Sequence, residues 1–246
     1  MAAKAEPDGY TLLLLVTTNA IQPALQKLPY DTLKAFTPIA RTSCGTAVLS
    51  VHPSVPANSV KEFMALAKKK PGELLFSSSG AGSTAHLQTE LFKMMADIDF
   101  RIEQFKSAGP AIIELVGGHC NASLGSIASM LPHIKSGRLR ALGTSGENRH
   151  FALPDVPTIA EAGVPGYSSS SWYGIGTPTG TPAPIIDRLD KEIKTILASA
   201  EVQKRFRDRG AEPCYLGTAE FGPFLVQEMA KWGSVVKKAN VTSMGN

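Results

Sequence analysis

Between Ser77 and Thr84 the chain reads SSSGAGST, a run of hydroxyl residues and glycines dense enough to bind an anion. A short apolar run, Leu74 to Phe76, leads into it, and Leu87, Leu91, Met94 and Met95 recur at helical spacing beyond it. A strand, a small-residue turn and a helix start make an anion site in α/β proteins. The first N–H groups of the helix lack partners, the dipole end is positive, and glycine lets a ligand come close. The hydroxyls of Ser77, Ser78, Ser79, Ser83 and Thr84 add donors around the same point. His86 follows one turn into the helix, where it either braces the loop or touches the ligand.

Two readings of that loop compete. Gly80, Ala81, Gly82, Ser83, Thr84 and Ala85 spell G-x-G-x-x-A in the strand–turn–helix context of a dinucleotide fingerprint. The acidic ribose partner should close the next strand, whereas Asp97 and Asp99 precede it. Serine hydrolysis lacks its G-x-S-x-G elbow, and the five histidines show no paired metal spacing. No residue pattern demands catalysis, a metal or a cofactor. Thr17-Thr18-Asn19 and Lys106-Ser107 also follow strand-like runs, at the carboxyl ends where open α/β sheets take ligands.

The elements that must position these residues alternate along the 246-residue chain. Strands are expected at 10–17, 47–51, 99–105, 120–124, 139–143 and 172–177. Helices are expected from the Ser59–Glu62 capping box to Lys70, at 110–116, 126–136, 185–198, 200–209 and 218–239, with Pro223 a candidate kink. Thr158–Glu161 is a second capping box, stopped at Gly163. That alternation argues for an α/β protein with largely parallel sheets.

Bulk properties suit an ordinary globular chain: 43% hydrophobic, 19% charged, net charge +4 with basic residues scattered. The basic clusters at Lys68–Lys70 and Lys204–Arg207 read as solvated helix ends, and nucleic acid is not called for. Cys44, Cys120 and Cys214 lack metal or redox spacing; buried thiols are the expectation, with one bridge the most they allow. The longest aliphatic run, Leu12 to Val16, is far short of a membrane span. MAAKAEPDGY has no apolar core of the length a signal peptide needs.

Seven segments stand in order: PDGYTLL (7–13), LPYDTLKAFTPIA (28–40), VHPSVPANSVKEF (51–63), SSSGAGSTAHLQTELFK (77–93), LPHIKSGRLRALG (131–143), LPDVPTIAEAGVPGY (153–167) and WYGIGTPTGTPAPI (172–185). Together they resemble the Bug-type solute-binding proteins, the receptors of tripartite tricarboxylate transporters. The resemblance implies a two-lobed periplasmic-binding-protein-like fold of type II, closing by a hinge. Lobe one would combine 1–46 with 167–246, and lobe two would be 47–166. It implies a monomeric, non-enzymatic periplasmic receptor that hands a small carboxylate (a dicarboxylate, tricarboxylate or aromatic acid) to a membrane permease. Carried over by motif, Ser78, Ser79, Gly80, Ala81, Gly82, Ser83, Thr84 and His86 would cradle the carboxylate. Lys106, Ser107 and Ser126 would lie nearby, and Thr17, Thr18 and Asn19 would contribute from lobe one.

This chain departs from the family pattern at Phe105-Lys106-Ser107, at Asn121, which replaces an aspartate, and at Gly125, which replaces an acidic residue. Fewer acidic groups favour an anionic ligand over one bearing an amino group. Against the family, the chain also reads as lacking an N-terminal segment with the first strand, glycine loop and helix of lobe one. Two alternatives follow: a nucleotide-binding enzyme using the Gly80–Gly82 loop, or a truncated remnant that binds nothing.

Overall fold

A computed structural model describes residues 2–242. In chain order the elements are β1 (Leu13–Val16), α1 (Thr17–Leu25), α2 (Thr32–Ala35), β2 (Phe36–Val51), α3 (Val60–Lys69) and β3 (Leu75–Ser78). Then come α4 (Thr84–Met95), β4 (Arg101–Gln104), α5 (Ala108–Val116), β5 (Ala122–Ser126), α6 (Ile127–Lys135) and β6 (Arg140–Thr144). The chain ends with β7 (Ser170–Pro178), α7 (Ala183–Ala198), α8 (Ala200–Asp208), β8 (Glu212–Leu216) and α9 (Thr218–Lys238).

The chain divides into two compact units, one of residues 2–45 and 171–242, the other of residues 46–170. It passes between them after Gly45 and after Ser170. β2 serves both, its first half in the sheet of the first unit and its second half in that of the second.

In the first unit the strands run β1-β7-β2, with β8 on β2. Trp172, Gly174 and Gly176 of β7 face the helical side with Leu15, and the glycines are required there. A Cβ on Gly174 would lie 2.3 Å from Phe221 Cζ, and one on Gly176 2.9 Å from Leu15 Cδ1. α1 and α9 pack on each other and bury Ile21, Phe221, Leu225 and Trp232. On the opposite face of β1 and β7, Leu14 and Tyr173 stand exposed.

In the second unit the order is β6-β2-β5-β3-β4, with β3 parallel to both β4 and β5, and β2 antiparallel to β5 and β6. Alternation explains the apolar runs. Leu49, Val51, Phe76, Ala122 and Leu124 point to one face, where Phe63, Phe92, Phe100 and Tyr167 fill the core between the sheet and α3 and α4. Phe76 and Phe100 stack with centroids 4.7 Å apart. Val48 points the other way, into a core with Ile112 and Leu115 of α5 and Ile127 and Met130 of α6.

The fold is α/β as expected, but the expectation of largely parallel sheets needs correction. The described pairings of the first unit are antiparallel, and only the β4-β3-β5 part of the second is parallel. β2 and β8, far apart in the chain, pair antiparallel. The Thr158 capping box forms its reciprocal bonds, Glu161 N–H to Thr158 Oγ1 at 3.1 Å and Thr158 N–H to Glu161 Oε2 at 2.8 Å, yet no helix follows. Gly163, at φ +124°, breaks the turn before a second one can form. Pro223 lies inside a continuous α9. The cysteines also differ from expectation: Cys44 and Cys214 form a disulfide joining β2 to β8, and only Cys120 is a buried thiol. Among the described residues no helix is long and apolar enough to cross a membrane.

Candidate functional site

Parallel pairing puts the carboxyl ends of β3, β4 and β5 at one edge of the second unit's sheet, and the antiparallel β2 between β5 and β6 brings the end of β6 there too. α4, α5 and α6 each start directly beyond such an end, so three helix N-termini face the same edge. Aligned dipole ends and unpartnered N–H groups make that edge receptive to an anion.

The loop after β3 is the richest of the three. Ser78 is buried at the strand end, and its hydroxyl has no hydrogen-bond partner; the same holds for Ser77 and for Thr144 at the end of β6. Gly80 and Gly82 take φ of +106° and +72°, which side-chain-bearing residues adopt only with strain. Ser83 caps α4, its Oγ accepting from the His86 N–H at 3.2 Å, and its own N–H reaches Gly80 O at 3.2 Å. The Gly82 N–H donates to His86 Nδ1 at 3.1 Å. Among the described residues no protein acceptor takes the N–H groups of Gly80, Ala81, Thr84 and Ala85.

The other two helix starts carry serines that their own helices do not use. Ser107 precedes α5 and Ser126 precedes α6, and neither side chain makes a capping bond. Both are exposed, as is Lys106. In the first unit, Thr17, Thr18 and Asn19 open α1. Thr17 is committed to Trp172, its Oγ1 accepting the Trp172 N–H at 2.8 Å and donating to the Trp172 carbonyl at 3.4 Å. Asn19 Oδ1 accepts the Val16 N–H at 2.7 Å, which leaves Thr18 as the one side chain of the three without a hydrogen bond.

Two of the family departures have structural roles. Asn121 ties β5 to β3, accepting the Leu75 N–H on Oδ1 at 2.7 Å. Gly125 faces Met130, whose Cε would lie 2.5 Å from an added Cβ. Asp99 precedes β4 and pairs with Lys93 at 2.7 Å, which is the wrong end of the sheet for a ribose partner. Sequence reasoning passed over Thr144 and Glu90. The strand-end rule applied to β6 would have found Thr144, and the i, i+4 spacing from His86 would have found Glu90. No group of three or more possible metal ligands occurs among the described residues.

Two α/β units joined by two chain passages, each with a helix-covered sheet, define the periplasmic-binding-protein class of fold. Residues 1–241 match the model of the tripartite tricarboxylate transporter family receptor, and the chain belongs to that family. It is 34% identical to the protein BugT of Bordetella pertussis over 239 residues, 96% of this chain and 73% of that relative. Among solved structures, Rpa4515 of Rhodopseudomonas palustris with adipate is 32% identical with a TM-score of 0.83, over 99% of this chain and 82% of the other. MatC from the same organism, with bound malate, is 28% identical with a TM-score of 0.75, over 96% and 82%.

Proposed function

We propose that this chain is a non-enzymatic receptor that captures a small carboxylate in the periplasm and delivers it to the membrane permease of a tripartite transporter. The carboxylate sits on the Ser78–Thr84 loop. The observation that carries the reading is the set of unpartnered donors there: the N–H groups of Gly80, Ala81, Thr84 and Ala85, beside the buried hydroxyl of Ser78. A buried polar group without a partner costs stability, and an oxyanion supplies the missing acceptor. The hydroxyls of Ser107 and Ser126 and the ammonium of Lys106 reach a second carboxylate or a bridging water at the same sheet edge. That relatives of this build hold adipate and malate supports a dicarboxylate.

Thermal denaturation with added adipate, malate, a tricarboxylate, an aromatic acid or NAD tests this. A ligand that binds only the folded chain raises the melting temperature as its concentration passes the dissociation constant. One or more carboxylates should raise it, and NAD should not. Stabilisation by NAD alone would put a nucleotide on the loop, and no shift with any acid would leave the chain a non-binding remnant.

A further inference from the structure

His86 has two nitrogens with different duties. Nδ1 accepts the Gly82 N–H at 3.1 Å, so that nitrogen carries no proton. Nε2 then carries it, and the nearest carboxylate oxygen is Glu90 Oε1, 3.5 Å away and one turn further along α4. Both side chains are largely buried, at 9% and 15% exposure, which strengthens the pull of the carboxylate on the ring N–H. They line an open groove of about 520 Å³ between α4 and β4.

Among the described residues no lysine or arginine around the groove pairs with Glu90. Lys93 is held by Asp99 Oδ1 at 2.7 Å and by the Phe100 carbonyl at 3.0 Å, so it does not neutralise Glu90. Arg101 and Glu103 also line the groove from β4, but both are exposed and neither makes an ion pair with His86 or Glu90. Gln104 also lines the groove, and its Oε1 is buried without a partner.

We infer that Glu90 is a positioning residue for the anion loop: it fixes His86 in the Nε2–H tautomer, and the bare Nδ1 then pins Gly82. With Gly82 tied back, the loop keeps the conformation in which the neighbouring N–H groups of Gly80 and Ala81 stay unpaired. Without the carboxylate, the ring is free to put its proton on Nδ1, where it opposes the Gly82 N–H and the loop loses its brace. The inference rests on the Ser78–Thr84 loop as the ligand cradle, but its two direct readouts need no ligand.

Nitrogen chemical shifts of the neutral His86 ring report the tautomer, and amide hydrogen exchange reports how firmly Gly82 is held. Glu90→Leu, which keeps the side chain's bulk, should populate the Nδ1–H form and speed Gly82 exchange about tenfold, as loss of one hydrogen bond does. Glu90→Gln keeps an acceptor oxygen and should hold both readouts near those of the parent chain. Adipate or malate, whichever raises the melting temperature of the parent, should bind about tenfold more weakly to Glu90→Leu than to Glu90→Gln. The inference is overturned if the parent chain carries the Nδ1–H tautomer. It is overturned equally if Glu90→Leu leaves tautomer and exchange unchanged, the outcome expected were Gln104 the acceptor. Failure of every carboxylate to bind the parent would sink the proposed function and leave the tautomer and exchange results to decide this point alone.

Discussion

Trp172 Nε1–H donates to Glu228 Oε2 at 2.9 Å, in the buried interior of the first unit. Trp232 Nε1–H donates to the same oxygen at 2.9 Å, and Lys231 Nζ reaches Glu228 Oε1 at 2.9 Å. One carboxylate therefore anchors α9 to β7 and satisfies two indoles that would otherwise be orphaned. Glu228→Ala should cost about 3–5 kcal/mol, the range for breaking a buried charged network from one side. Glu228→Gln, which keeps an oxygen, should cost less. Urea unfolding of the two variants checks the order; equal losses would show that only the volume of the side chain matters.

The Cys44–Cys214 disulfide spans 170 residues of sequence. Cross-linking so large a loop removes much of the unfolded chain's freedom, about 5 kcal/mol in the chain-entropy account. Cys44→Ser with Cys214→Ser should lower stability by that order in thermal or urea unfolding. Thiol titration checks the pairing independently. The folded chain should show no reactive thiol, because Cys120 is buried and burial pushes its pKa up to about 11. The unfolded, unreduced chain should show one thiol, and the reduced chain three.

What could be read from residues alone follows from how local each signal is. The α4 start was legible because Ser83 and the apolar spacing of Leu87 and Leu91 act within two turns. The strand carrying Phe76 was legible for the same reason, as the apolar run Leu74 to Phe76. By contrast, 36–46, with Pro38 and Gly45, lies outside every expected strand, yet it forms the first half of β2 because strands from distant sequence pair with it. α1, which holds Pro23, owes its stability to packing on α9, nearly two hundred residues away in the chain. The disulfide was invisible for a similar reason: nothing near Cys44 encodes Cys214. At the site, the strand ends and helix starts were readable. Which donors the loop spends on itself and which it leaves open was not, since that depends on the positive φ of Gly80 and Gly82.

Raised pKa values predict loss of stability in alkali. Burial, with smaller contributions from Glu114 and Glu103, pushes Cys120 from 9.0 up to about 11. Burial, aided by the Asp190 carboxylate, pushes Tyr215 from 10.0 up to about 12, and burial raises Tyr167 strongly. Each group is neutral when protonated, and the folded chain holds the proton more tightly than the unfolded chain. Their contribution is complete below the ordinary values and is lost as pH rises through the folded ones. Stability should therefore fall from about pH 9 upward, and Tyr167→Phe should flatten the decline above about pH 10. Urea midpoints at stepped pH measure it; an unchanged slope in the variant would assign the decline to the other groups.

Gly80 is the backbone position on which the loop depends. At φ +106°, an alanine there costs about 1–2 kcal/mol in conformation alone, and its Cβ would come within 3.5 Å of the Phe105 carbonyl. The loop relieves that strain by turning its N–H groups. Gly80→Ala should weaken carboxylate binding at least about tenfold while the rest of the second unit keeps its core. Calorimetric titration beside far-ultraviolet circular dichroism separates the two. Binding at parental affinity would mean that the Gly80 and Ala81 N–H groups do not hold the ligand.

Ser78 separates a structural hydroxyl from a functional one most cleanly. Its side chain is buried and its oxygen has no partner, so in the unliganded chain the hydroxyl contributes desolvation cost and no bond. Ser78→Ala removes that cost and leaves almost the same volume; stability without ligand should stay level or rise by up to about 1 kcal/mol. If the hydroxyl donates to a bound carboxylate, the same change removes a charge-assisted hydrogen bond, and affinity should fall about tenfold or more. A stabilised chain with weakened binding is the signature of a group kept for its ligand. A destabilised chain with unaltered binding would mark Ser78 as part of the core and move the carboxylate away from the end of β3.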